Sequence, residues 1–94
     1  MSMHWFIVRV ELHGSPSRQT YEQLHVEMEA HGFSRRFRGN SGTYVNLPHA
    51  EYIIESDRTP QQVFDSAEAA ARTTGYEFQV LLSRTDYILA TPAA

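Results

Sequence analysis

The chain of 94 residues contains no cysteine and no lysine. Without cysteine it can form no disulfide, no thiolate zinc site and no cysteine nucleophile. It also lacks an apolar run of membrane-spanning length and a charged segment followed by an apolar one at its start, so we expect a cytoplasmic protein without membrane attachment. The length predicts one domain, residues 1–94, with a single modest core.

Basic charge is carried by arginine alone, apart from histidine, and the net charge is −3. An acidic chain does not attract nucleic acid over its whole surface. The arginines are unevenly placed, however, because Arg35, Arg36 and Arg38 follow one another closely. Guanidinium groups bind phosphate bidentately and stack on bases, which makes this cluster the strongest functional signal in the sequence.

Hydrophobic periodicity predicts alternating extended and helical segments. The order is strand, helix, two strands, helix, strand, and a glycine ends each helix. This order is typical of a ferredoxin-like βαββαβ sandwich, an α+β fold in which one mainly antiparallel sheet carries two helices on one face. The other sheet face is then left for solvent, a second subunit or a ligand. We expect strands at 5–12, 33–38, 44–55 and 76–83, and helices from about Ser17 to Gly32 and from Thr59 to Gly75.

Turn and cap residues mark the ends of these segments. Ser17 is a typical N-cap residue, and residues 20–23 offer an alternative capping box. The second helix has threonine, proline and glutamine at the favoured places in residues 59–62. Residues 39–42, Gly-Asn-Ser-Gly, predict a hairpin turn between the second and third strands. Pro48 then predicts a bulge, a bend or a break in the third strand.

The first strand separates two kinds of side chain, because alternate residues face opposite sides of a sheet. One set is uniformly apolar and should face the helices. The other set mixes an aromatic, an aliphatic and two charged side chains, as expected of a face that meets a partner or does chemistry. The apolar set is Phe6, Val8, Val10 and Leu12, and the mixed set is Trp5, Ile7, Arg9 and Glu11.

The last segment, residues 84–94, is more apolar than a disordered tail. Its apolar side chains are the adjacent Tyr87, Ile88 and Leu89. We interpret this segment as a candidate further edge strand, added either to its own sheet or to the sheet of a partner.

Glu11 lies near the end of the first strand, where a carboxylate can hold a divalent metal or act as a general base on a ribose hydroxyl. An ion pair with Arg9 is the simpler interpretation. One carboxylate is not a metal site, so we predict no cofactor, although a dimer could supply a second copy and admit a divalent metal. The five histidines are scattered, and ordinary structural roles are the simpler interpretation for all of them. His25 and Glu29 have metal-compatible spacing without a third ligand, and His13 and His49 lie in loops, where a histidine can act as general acid or base.

The arginine cluster predicts a nucleic-acid contact. Three guanidinium groups on an exposed ribbon, interleaved with Phe37, could follow a phosphate backbone while the ring stacks on a base. The alternative is a solvated hairpin whose arginines neutralise Glu51 and Glu55 on the next strand.

The sequence resembles the GhoS-like antitoxin family of type V toxin–antitoxin systems over most of its length. The resemblance lies in VRVELHG at residues 8–14 and in the pattern Y-x-x-L-H-x-x-M-E-A-x-G-F-S-R at residues 21–35. It continues in Leu-Pro at 47–48, in Glu-Tyr at 51–52 and in the alanine-rich helix that ends with Thr-Gly at 74–75. It implies a ferredoxin-like fold similar to that of the CRISPR-associated Cas2 nucleases and endoribonucleolytic cleavage of a toxin's messenger RNA. Such nucleases usually carry an acidic residue near the end of the first strand, and Glu11 is the nearest match, a glutamate where aspartate is typical.

Together these features predict a small homodimeric antitoxin that acts on RNA, a candidate endoribonuclease for single-stranded messenger RNA. In this hypothesis Arg9 stabilises transition-state charge and Glu11 positions a metal or the nucleophile. The rival hypothesis is a non-catalytic module that dimerises or binds a protein through apolar side chains on its outward face. RNA would contact Arg35, Arg36, Phe37 and Arg38, whereas the rival surface is Trp5, Ile7, Ile53 and Leu81.

Overall fold

A computed structural model describes residues 2–39 and 42–91 of the chain. The elements are β1 (His4–Leu12), α1 (Arg18–Ala30), β2 (Arg36–Arg38), β3 (Tyr44–Asn46), β4 (Glu51–Ser56), α2 (Pro60–Arg72) and β5 (Phe78–Thr85). The strands form a three-stranded antiparallel sheet in the order β4-β1-β5 and a two-stranded antiparallel pair, β2-β3. The predicted α+β class, with two helices and mainly antiparallel strands, is confirmed.

The segment predicted as one third strand is two strands, β3 and β4, separated by a turn at Pro48. Proline lacks the N–H that a continuous ladder needs, and the Glu51 N–H donates instead to the Pro48 carbonyl oxygen at 3.1 Å. A single bridge joins the two sheets, because Ser34 and Ile53 exchange backbone hydrogen bonds of 2.8 Å. The predicted β2-β3 hairpin is present, while Asn40 and Ser41 of its turn lie outside the described residues.

The core lies between the helices and one face of the β4-β1-β5 sheet. The apolar set of β1 is buried there as predicted, with three of its four members completely inaccessible to solvent. The helix α2 contributes mostly small side chains, so it can lie close to the sheet. The helical core residues are Leu24 and Met28 of α1 and Val63, Ala67, Ala70 and Ala71 of α2.

Local signals set the helix ends. The Ser17 side chain accepts a hydrogen bond from the Thr20 N–H at 3.1 Å, which confirms Ser17 as the N-cap. Thr59 and Gln62 form the predicted capping box of α2. Gly32 follows α1 with φ of +94°, and a Cβ there would stand 3.3 Å from the Ile54 side chain, so glycine suits both the backbone and the packing. Neither helix in the described part of the chain is long and apolar enough to cross a membrane.

The outer face, meaning the side of the β4-β1-β5 sheet opposite the helices, is only partly bare. Ile53 pairs with Ile7 across the sheet and is 2% exposed, and Trp5 and Ile7 are half-buried. Residues 86–91 form no strand and instead lie beside this face, where Ile88 lines one cavity with Trp5 and another with Ile7. Residues 86–91 therefore add no edge strand to the chain's own sheet, and the alternative, a strand added to the sheet of a partner, stays a prediction; residues 92–94 lie outside the described residues.

Candidate functional site

Arg36, Arg38 and Tyr44 form an exposed group on the hairpin, which we call the arginine–tyrosine ribbon. Arg36 and Arg38 share one face of β2, and Tyr44 lies directly opposite Arg38 on β3. The guanidinium carbons of Arg36 and Arg38 stand 4.6 and 5.8 Å from the Tyr44 ring centroid. The Arg38 Nε–H donates to the Gly42 carbonyl oxygen at 3.0 Å. The ribbon therefore presents a tyrosine that is 54% exposed, with two cations close to its ring.

The other two residues predicted to bind RNA lie apart from the ribbon. Arg35 is exposed and lines a groove beside α1, and Phe37 is half-buried in a cavity with Trp5 and Tyr87. Alternate residues of a strand face opposite sides, so the cluster divides. Sequence reasoning missed Tyr44, because a hairpin closed by residues 39 and 42 would pair Arg38 with Thr43, whereas the observed register is one residue longer and pairs Arg38 with Tyr44.

Arg9 and Glu11 are exposed on the outer face near the end of β1. Their side chains form an ion pair of 3.7 Å, and the His13 Nε2 atom stands 3.9 Å from the same carboxylate. This geometry confirms the simpler interpretation of the pair, and such exposed ion pairs contribute little stability. Among residues 2–39 and 42–91 no three histidine or acidic side chains converge as metal ligands would.

A second polar cluster, unpredicted from the sequence, lies between α1 and the turn before β4. We call it the histidine groove and define it by Tyr21, His25, Arg35 and His49. The His25 Nδ1 atom stands 2.6 Å from the hydroxyl oxygen of the buried Tyr52. The His49 ring lies 4.5 Å from the Tyr21 ring and 6.0 Å from the His25 ring, measured between centroids. Four titratable rings are thus gathered in one place.

The environment of the groove changes the acidity of two of these rings. Burial, followed by the positive charges of Arg35 and His49, lowers the pKa of His25 to about 4. Burial also raises the pKa of Tyr52. At neutral pH Tyr52 is therefore a protonated phenol and His25 a neutral imidazole, so we infer that the Tyr52 O–H donates to His25 Nδ1 and leaves the ring proton on Nε2.

The backbone beside the groove is strained. Ala50 has φ of +67°, a left-handed conformation that is uncommon for a residue with a side chain. Its carbonyl oxygen accepts a hydrogen bond of 2.9 Å from the Val10 N–H, and its side chain is buried. The fold therefore fixes the turn that carries His49, and strain of this kind is concentrated at functional sites.

The stability of the protein should fall in mild acid because of His25. In the unfolded chain His25 binds a proton near pH 6.5, and in the folded chain only near pH 4. The free energy of unfolding therefore decreases as the pH falls between those two values, and the contribution of His25 to stability is fully present above them. Allowing for solvent screening, we expect a loss of about 1–3 kcal/mol. Urea unfolding of wild type and His25→Leu across this range measures it. The variant should lose that slope and His13→Gln should keep it; equal slopes for all three proteins would contradict the assignment.

Comparisons of the chain with family models, with curated proteins and with solved structures find no match. The functional interpretation below therefore rests on the side-chain geometry just described and on the resemblance carried by the residues of the sequence itself.

Proposed function

We propose that this protein binds single-stranded RNA across the β2-β3 hairpin and acts as a small antitoxin-like endoribonuclease. The observation that carries the proposal is the arginine–tyrosine ribbon. An exposed aromatic ring offers a base a stacking surface worth about 1–3 kcal/mol. The neighbouring guanidinium groups of Arg36 and Arg38 can bind the phosphates of the same strand.

The distribution of charge favours a flexible single strand over a duplex. The chain as a whole is acidic, with a net charge of −3, and the ribbon concentrates two arginines on a hairpin only three paired residues long. A single strand can cross this ribbon locally, whereas a rigid duplex would also lie against acidic surface.

The strand arrangement supports a ferredoxin-like version of the α+β fold. Counting the bridge between Ser34 and Ile53, the strands are neighbours in the order β5-β1-β4-β2. Each helix then connects two strands that have one other strand between them, as in the split βαβ unit. We propose this fold because it agrees with the resemblance to the GhoS-like antitoxins, and fold alone does not establish activity.

Loss of Tyr44 should weaken RNA binding more than loss of either ribbon arginine. We expect Tyr44→Ala to lower affinity by roughly 5- to 100-fold, because it removes the stacking surface, and Tyr44→Phe to retain most of it. Arg36→Ala or Arg38→Ala should lower affinity by roughly 3- to 10-fold and reduce the slope of log affinity against log salt by about 0.7 each. Fluorescence anisotropy with a pool of short random single-stranded RNAs measures both quantities.

The matched control is Arg84→Ala, which removes an exposed arginine from β5. It should leave the affinity and the salt slope close to those of the wild type. If Arg84→Ala weakens binding as much as Arg36→Ala does, the contact is diffuse and the ribbon is not the RNA site.

The second candidate function, self-association, is favoured by Leu81. This side chain is 63% exposed on β5, an edge strand of the three-stranded sheet in the described part of the chain. An edge strand of this kind can pair with a second copy, and the homodimer that we propose would form there. Absence of RNA binding, together with a dimer that Leu81→Glu converts to monomer in sedimentation, would favour this function over the nuclease.

A further inference from the structure

Arg35 connects the arginine–tyrosine ribbon with the histidine groove. It comes directly before Arg36, the first residue of β2, and it lines both the groove and a neighbouring cavity with Arg36 and Asn46. Arg35 is therefore the residue at which an RNA strand would pass from the ribbon, on one face of the hairpin, to the groove on the other.

The charge of the groove suits a phosphate. Arg18, at its rim, is paired with Glu22 at 3.4 Å. Arg35 forms no ion pair with a carboxylate in the described part of the chain. An arginine without a carboxylate partner in a concave site is available to hold an anion bidentately.

The two histidines of the groove differ in what they can do. His49 is exposed and lies on the turn fixed by the strained Ala50, with its ring against Tyr21. His25 is held by Tyr52 through Nδ1, and its Nε2 atom forms no hydrogen bond with the described residues. Every fully buried side-chain nitrogen or oxygen atom of the described residues has a hydrogen-bond partner. Because Nε2 has none, this atom is not fully buried and retains contact with solvent. His49 can therefore exchange protons, while His25 presents a fixed N–H donor.

We propose that the histidine groove is the cleavage centre for RNA bound on the ribbon, with His49 as general base toward a ribose 2′-hydroxyl and Arg35 as the phosphate anchor. This inference rests on the proposed function and adds the site and the reaction. His49 accepts the 2′-hydroxyl proton while that oxygen bonds to phosphorus. The bond from phosphorus to the 5′ oxygen breaks, and the departing oxygen takes a proton from solvent. The products are a 2′,3′-cyclic phosphate and a 5′-hydroxyl end, and His49 returns its proton to water.

His25 acts in this scheme as a positioning residue. Its ring is held through Nδ1 by the Tyr52 hydrogen bond, and its centroid lies 6.0 Å from that of His49 with the two ring planes at 84°. A neutral donor beside the phosphate can stabilise the charge that develops on the non-bridging oxygens.

The test is cleavage of a pool of short random single-stranded RNAs by the full chain in excess EDTA. His49→Ala should lower the cleavage rate by roughly 100-fold or more, the range expected for loss of a general base. His49→Ala should also remove the acidic limb of the pH profile, which a structural role would not do. Arg35→Ala should lower the rate by about 10-fold or more. His13→Ala, an exposed histidine outside the groove, should cleave like the wild type.

The chemistry is checked on the products and with a blocked substrate. Mass spectrometry should find cyclic phosphate ends, and RNA methylated on every 2′ oxygen should bind and stay intact. The inference is overturned if Glu11→Ala abolishes cleavage and His49→Ala does not, if EDTA abolishes it, or if the ends are 3′-hydroxyl and 5′-phosphate. The proposed function fails separately, if the wild type neither binds nor cleaves the RNA pool.

Discussion

Replacing Tyr52 with alanine should lower the free energy of unfolding by about 3–5 kcal/mol, the range for removal of a large buried aromatic side chain. Tyr52 is completely buried in the core and pairs with Val8 across the sheet. Its loss leaves a cavity and also removes the hydrogen-bond partner of His25, which is itself only 7% exposed. An unsatisfied polar group in such a place adds its own cost.

Two matched variants separate these contributions. Tyr52→Phe keeps the ring and removes only the hydroxyl, so it should cost about 1–3 kcal/mol. The double variant Tyr52→Phe with His25→Leu removes both polar partners and should recover part of that loss, because no polar group is then left unpaired. Chemical denaturation at neutral pH measures all of these variants. A Tyr52→Phe protein as stable as the wild type would show that the 2.6 Å hydrogen bond contributes nothing net.

The second large effect is expected on the outer face of the sheet. Ile53→Ala should cost about 2–5 kcal/mol, the range for truncation of a buried isoleucine, because Ile53 is 2% exposed. Ile53→Asp should cost more, since it buries a charge without a partner. If the outer face were bare, the Ile53 side chain would be exposed to solvent, and neither substitution would lower the free energy of unfolding by this much.

Leu81 is the matched control, because it lies on the outer face of β5 and is 63% exposed. Leu81→Ala should change stability by no more than about 0.5 kcal/mol. If Ile53→Ala and Leu81→Ala have equally small effects, then the side chain of Ile53 is not covered in solution.

The parts of the fold that depend on local chemistry could be predicted from the sequence. The N-cap at Ser17 and the capping box of Thr59 and Gln62 act within three residues along the chain, and the predicted helix starts agree with the structure. The helix α2 ends at Arg72, three residues before the predicted end at Gly75. The last strand was predicted at residues 76–83 and lies at Phe78–Thr85, two residues later. The prediction missed its ends because they are set by pairing with β1 and not by turn residues.

The covering of the outer face could not be predicted in this way. The apolar side chains of Tyr87, Ile88 and Leu89 were interpreted as a strand, since apolar content alone does not distinguish a strand from an irregular segment packed on a sheet. Residues 86–91 form no strand, and Ile88 lies beside Trp5 and Ile7. Hydrophobic contact of this kind does not require backbone hydrogen bonds between strands.

The candidate site was predictable only where its members are neighbours in sequence. The arginine cluster was visible for that reason, but its division between two surfaces and the contact with Tyr44 depend on the hairpin register. His25 and Tyr52 are 27 residues apart, and no spacing rule within one helix or strand relates them. The histidine groove therefore appears only when α1 and the turn before β4 are brought together by the core.

Trp5 has a practical consequence for all of these experiments. It is the single tryptophan of the chain, and it lines one cavity with Arg38, Phe37 and Tyr87. Arg38 also belongs to the arginine–tyrosine ribbon, so intrinsic fluorescence excited at the indole reports from the boundary between the hairpin and the C-terminal segment. The unlabelled protein thus carries its own optical probe, and a shift in its emission maximum signals an event at this boundary without any attached dye.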